Sequence, residues 1–213
     1  MKLLTDLEHL IDYHNFSDTN LQSEIISSSS TQTINKNDVV IREGQFIKWF
    51  IIVLEGKIRV WHESENKQIT LYKIGKFETC AYSIVAIGKQ YQAMVNAIVV
   101  SDTATILKIP LSNLKEWKKY HSWQKFMSET LIGKYENLLG CIHKLAFKKV
   151  DERLLEFLRK TSERTKSDTI NISHNKLANE IGSTREVVSR TLKNFEKKGN
   201  VELEFKKIKL KKI

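Results

Sequence analysis

The chain has 213 residues, 41% of them hydrophobic and 28% charged, and carries 35 Lys and Arg against 25 Asp and Glu, a net charge of +10. That length holds two small domains, each with its own core, and no apolar run approaches a membrane span. Two cysteines far apart, Cys80 and Cys141, exclude a CxxC metal site and a multi-cysteine cluster, so no metal or cofactor is expected. They fit a reducing cytoplasm, and the N-terminus lacks a basic segment followed by the apolar stretch of a secretion signal.

In chain order, residues 1–26 predict an amphipathic helical start with Leu3, Leu7, Leu10 and Ile11 on one side, ended by the run Ser27–Ser30. From Thr33 to Pro110 the pattern changes to short runs rich in Ile, Val, Phe and Tyr, punctuated by Gly44, Gly56, Gly75 and Gly88. This predicts an all-β unit of roughly eight strands. Pro110 closes it, and residues 111–120 predict a short helix. A long helix over about 122–146 follows, with Met127, Leu131, Tyr135, Leu138, Ile142 and Leu145 at spacings of three or four. Such a stripe packs either on its own domain or, lying between two domains, along the same helix of a second copy; the parallel dimer helix is the favoured reading.

After a break at Lys148–Lys149, the spacing predicts a helix over Val150–Lys160, a strand at 169–173, and a helix over 174–181 capped by Ser173. Gly182 makes a tight turn, and a second helix opens at Ser183, Thr184, Arg185 and Glu186, with Ser183 and Glu186 at capping-box spacing. Residues 201–205 and 208–213 predict a two-stranded wing. Its lysines, Lys206, Lys207, Lys209, Lys211 and Lys212, either touch phosphates or protect an edge strand.

Two short helices joined by a glycine turn are a helix-turn-helix, whose second helix enters the major groove of duplex DNA. Arg185, Glu186, Ser189 and Arg190 lie near the start of that helix, and Arg and Glu are types that read guanine and cytosine. Charge agrees: residues 148–213 carry 18 basic and 10 acidic side chains, a net +8, leaving only +2 for the rest. The excess points to a polyanion partner for the C-terminal part. A dimer suits the same partner, since two recognition helices about 34 Å apart read a palindrome. The expected fold is α+β, with a jelly-roll-like β-roll sensor domain over 1–120, a dimerisation helix over 121–147 and a winged helix-turn-helix over 148–213.

This order of parts resembles the Crp/Fnr family of bacterial transcription regulators. The likeness is strongest at LANEIGSTREVVSRTLKNFEKKG (177–199), where Gly182–Arg190 matches the family's Gly-x-[Ser/Thr]-Arg-Glu-x-Val-x-Arg signature. LAFKKVDERLLEFL (145–158) matches the hinge and following helix, and IREGQFIKWFIIVLEGKIRV (41–60) the opening strands with their turn glycines. The resemblance implies a homodimer that binds double-stranded DNA and meets RNA polymerase, with Arg185, Glu186 and Arg190 reading half-sites related to TGTGA. It places Ser173, His174, Asn175, Ser183 and Thr184 where phosphates are contacted; hydroxyls and amides at helix starts suit that role. One conflict stands: a Glu186 that caps Ser183 cannot also accept fully from a cytosine.

The resemblance also implies a sensor pocket, with candidates Glu78, Thr79, Cys80, Tyr91, Gln92, Leu138 and Leu139. Members that bind cyclic AMP use a Gly-Glu pair, an Arg-Ser pair and a Thr-Ser pair on the long helix. Here those places read Thr79-Cys80, Tyr91-Gln92 and Leu138-Leu139, and no arginine occurs between Arg59 and Arg153. A cyclic phosphodiester lacks its partners, so the effector is expected to be something other than cyclic AMP, or absent. Cys80 reads either as a small apolar residue at a buried turn or as a redox-sensing thiol. His9, His14 and His62 leave haem sensing open. His62 is the lone histidine of the β region, which argues against a cupin-type metal enzyme. The remaining alternative is an architectural protein that binds DNA by charge alone.

Overall fold

The computed structural model describes residues 2–64, 67–87 and 92–211 and divides into two compact units. The first comprises 1–61 and 72–138, the second 62–71 and 139–213. Against the expected division at 120 and 147, the long helix is shared between the units, and a hairpin tip of the β-region goes with the C-terminal one.

The first unit opens with helices α1 (Lys2–Tyr13) and α2 (Thr19–Ser28). The single amphipathic start expected from the sequence is thus two helices, broken where Asn15 takes φ 52°. Seven strands follow among the described residues: β1 (Ser30–Asn35), β2 (Val39–Ile41), β3 (Trp49–Glu55), β4 (Ile58–Ser64), β5 (Lys67–Ile74), β6 (Asn96–Val99) and β7 (Thr103–Pro110). The serine run therefore ends α2 and also begins β1. The strands form two antiparallel sheets, ordered β1-β7-β3 and β2-β6-β4-β5. The continuous apolar run of β3, buried from Phe50 to Leu54, is what a strand covered on both faces requires.

Short helices α3 (Ala81–Val85) and α4 (Asn113–Glu116), with a 3₁₀ turn at Trp117–Lys119, lead into α5 (His121–Phe147). Leu7, Leu10, Phe16, Leu21 and Ile25 of the N-terminal segment pack with Phe50, Ile52, Trp117, Trp123 and Phe126 in one core. Glu24 ties this core together, accepting from Trp117 Nε1 at 2.6 Å and Tyr120 Oη at 2.7 Å. His14 belongs to the same packing: its Nε2 lies 2.7 Å from the Phe77 carbonyl and its ring 4.3 Å from that of Phe126.

Along α5 two stripes separate. Trp123, Phe126 and Lys134 are buried, and Met127 packs against the core. Met127, expected in the dimer seam, is therefore held by its own unit. Leu131, Tyr135 and Ile142 are 40%, 62% and 59% exposed, joined by Ile132 and Leu139, while Leu138 is half-buried.

In the second unit, α6 (Val150–Thr165), β8 (Thr169–Asn171), α7 (His174–Ile181), α8 (Arg185–Lys197), β9 (Val201–Glu204) and β10 (Lys207–Leu210) close around Leu154, Leu158, Leu177, Ile181, Val188 and Leu192. The wing is three-stranded rather than two-stranded, because β8 pairs with β10 on the side away from β9. Glu204 and Glu202 lie 3.9 and 3.6 Å from Lys207 and Lys211; Lys212 lies outside the described residues.

Candidate nucleic-acid interface

Helix α7 starts where Ser173, in extended backbone, accepts from the Lys176 N–H at 3.3 Å. It ends at Gly182, whose φ of 66° lies in the left-handed region that glycine adopts without steric cost. The chain then bonds back through Ser183 N–H to the Ala178 carbonyl at 3.0 Å, which draws Ser183 inward until it is 8% exposed. Thr184, again extended, is the N-cap of α8 and accepts from Val187 N–H at 3.4 Å. The expected Ser183–Glu186 capping box is therefore absent. The helix begins one residue later than its spacing suggested, because Ser183 is committed to closing the turn.

This shift frees Glu186. It is exposed in the first turn of α8 together with Arg185, and Arg190 is exposed one turn on. At about 100° per residue, positions 185, 186, 189 and 190 share an arc of about 140°. Val188 and Leu192 lie beside this arc, about 60° and 20° beyond its Arg185 edge, and turn into the core with Leu177, Ala178 and Ile181. Ser189 differs from its neighbours: it is half-buried, and its Oγ lies 2.8 Å from His174 Nδ1.

The expected phosphate group divides as well. Ser173, His174, Asn175 and Thr184 reach the surface at the two helix starts, whereas Ser183 is buried and does not. A hydroxyl that accepts a capping bond keeps its own hydrogen, so Ser173 and Thr184 remain donors. The tip between β9 and β10 is anchored beside them by a bond from Ile172 N–H to the Lys206 carbonyl at 3.0 Å. That tip carries Phe205, 86% exposed, which sequence reasoning passed over because a lone aromatic between charged residues gives no periodic signal.

The helix pair is held from two sides within the second unit, by Arg153 of α6 and by the hairpin tip. The Arg153 guanidinium donates to the Leu145 and Gly182 carbonyls, both at 3.4 Å. Thr70 of the hairpin tip donates to the Asn179 carbonyl at 3.2 Å, and Asn179 Nδ2 donates to Gln68 Oε1 at 3.0 Å.

The expected sensor residues that are described differ in burial and in their partners. Thr79 is buried, its hydroxyl donating to the Ile51 carbonyl. Cys80 is buried beside the Tyr72 hydroxyl at 3.6 Å, and burial pushes its thiol pKa up. A reactive thiol needs access and a lowered pKa, so the structure speaks against Cys80 as a redox sensor. Gln92 and Leu139 are exposed, and Tyr91 lies outside the described residues. Glu78 accepts from Gly75 N–H at 2.7 Å and pairs with Lys134 of α5 at 3.5 Å. Lys134, a buried cation on the inward stripe, also stands over the Tyr72 ring at 5.2 Å. Sequence reasoning missed it, since a lysine in a helix reads as a solvated side chain.

Residues 152–213 match the family model of the Crp-like helix-turn-helix domain. A solved structure from Eubacterium rectale assigned to the crp/fnr family of transcriptional regulators aligns over 92% of this chain and 91% of its own, with a TM-score of 0.82 and 25% identity. Residues 152–213 are thus a Crp-like helix-turn-helix domain, and the chain as a whole has the fold of a Crp/Fnr-type transcription regulator. Two further solved structures share the fold. The c-di-GMP responsive global regulator CLP of Xanthomonas campestris aligns over 92% of this chain and all of its own, with TM-score 0.76 and 17% identity. A CRP/FNR family transcriptional regulator of Thermus thermophilus, TTHA1359, aligns over 86% and 94%, with TM-score 0.68 and 18% identity. No curated protein matches the chain in sequence. Among the described residues no helix is long and apolar enough to cross a membrane.

Proposed function

We propose that this Crp/Fnr-type regulator binds a palindromic duplex as a homodimer in the cytoplasm, with Arg185, Glu186 and Arg190 reading base edges in each half-site. The observation that carries this reading is the cap at Thr184, which leaves these three side chains exposed together at the start of α8. Ser173, His174, Asn175 and Thr184 donate to phosphates and set the register. The outward stripe of Leu131, Ile132, Tyr135, Leu139 and Ile142 packs against its copy, which removes an apolar surface that a monomer leaves in water. RNA polymerase is the further partner of a bound dimer.

The sensor works with an effector other than cyclic AMP, or with none. Lys134 supports this reading: with Glu78 it supplies an internal ion pair between α5 and the strand region. Steady-state anisotropy tests the reading, using a duplex with two inverted TGTGA arms and a scrambled duplex at matched salt, each with and without cyclic AMP. Preference for the armed duplex without nucleotide, unchanged by cyclic AMP, is expected. Equal, salt-sensitive affinity for both duplexes would assign the protein to charge-driven DNA binding instead.

A further inference from the structure

One hydrogen bond joins the phosphate-facing start of α7 to the base-facing side of α8: His174 Nδ1 to Ser189 Oγ, 2.8 Å. His174 is the first residue of its helix and half-buried. The charged group set against it from α8 is Arg185. Lys176 lies two residues on, about 200° round the helix, and Lys206 of the wing tip holds Ile172 through its carbonyl while its Nζ stands over the Phe205 ring at 5.1 Å. Arg185 is thus the charge that acts on the ring, and it opposes a second positive charge there. In the free protein, burial first and Arg185 second hold its pKa below the usual 6.5.

A neutral imidazole has one N–H, whereas an imidazolium has two. Whichever nitrogen holds the proton of the neutral ring, the charged ring donates from both, from Nδ1 to Ser189 Oγ and from Nε2 outward. A phosphate oxygen beside the ring favours that charged form. We propose that His174 is a proton-linked positioning residue: DNA binding draws one proton onto the ring, which then holds Ser189 with one nitrogen and a backbone phosphate with the other. Ser189 accordingly serves to fix the histidine rather than to read a base. This inference rests on the DNA-binding reading above.

The sign follows from linkage. The ring's pKa is higher in the complex than in the free protein, so affinity is greatest below the free value and falls as pH rises through the complex value. Uptake of one proton gives a slope of up to about tenfold per pH unit between the two. The test measures affinity for the TGTGA-armed and scrambled duplexes from about pH 5.5 to about pH 8 for the full-length protein and for His174→Gln, which retains hydrogen bonding but cannot take a charge. Calorimetric titration of the unaltered protein in two buffers of different ionisation enthalpy counts the protons directly. Expected are a several-fold fall in affinity with rising pH, a flat profile for His174→Gln, and proton uptake on binding. An equal slope in the variant, a flat profile in the unaltered protein, or no uptake would overturn the proposal while leaving DNA binding intact. If neither protein prefers the armed duplex at any pH, the reading beneath the proposal fails and the proposal with it.

Discussion

At Gly182 a β-carbon would stand 2.7 Å from Leu145 Cδ2, on a backbone with φ 66°. Gly182→Ala must therefore bear left-handed strain and displace the leucine, and a loss of about 1–2 kcal/mol in unfolding free energy is expected from chemical denaturation; unchanged stability would mean the turn relaxes at no cost. Arg185 is exposed at the first position of α8. Arg185→Ala is expected to lose about 1–3 kcal/mol on the cognate duplex with little change on random DNA. Equal losses on both, measured by anisotropy, would remove its base-reading role. These residues were legible in the sequence because Gly, Arg and Glu announce their chemistry wherever they stand. Which of two adjacent hydroxyls caps the helix was not legible: Ser183 and Thr184 are both good caps, and the choice is made by the bond that carries Ser183 under the turn.

Helix α5 is the element where periodicity misled. Spacings of three and four collect residues from two faces of a long helix, so Met127 of the inward stripe and Leu131, Tyr135 and Ile142 of the outward one read as a single seam. The structure separates them and adds Ile132 and Leu139 to the outward face. Leu131→Glu is expected to convert the dimer to monomer in sedimentation experiments without unfolding either unit, since Leu131 is exposed in the single chain. A variant that still sediments as a dimer would place the interface elsewhere. The extent of α7 was legible from its cap and its glycine. The third wing strand was not, because the pairing of β8 with β10 joins segments far apart in sequence.

Over the whole molecule, the fold class followed from the change of period at Thr33 and again after Pro110, together with the concentration of positive charge beyond residue 148. Strand order did not follow, since alternation shows which residues face a core but not which strands are neighbours. The sensor region shows the same limit. The missing arginine and glutamate were visible as absences, but the buried Lys134 beside Glu78 and Tyr72 was not, because only tertiary packing takes a lysine out of water. The central claim, that a ligand-free dimer reads DNA through Arg185, Glu186 and Arg190, is tested most directly by selecting duplexes from a random library with the purified protein and no added effector. The account predicts enrichment of a palindrome with two TGTGA-like arms. Salt-sensitive capture without any enriched sequence would contradict it.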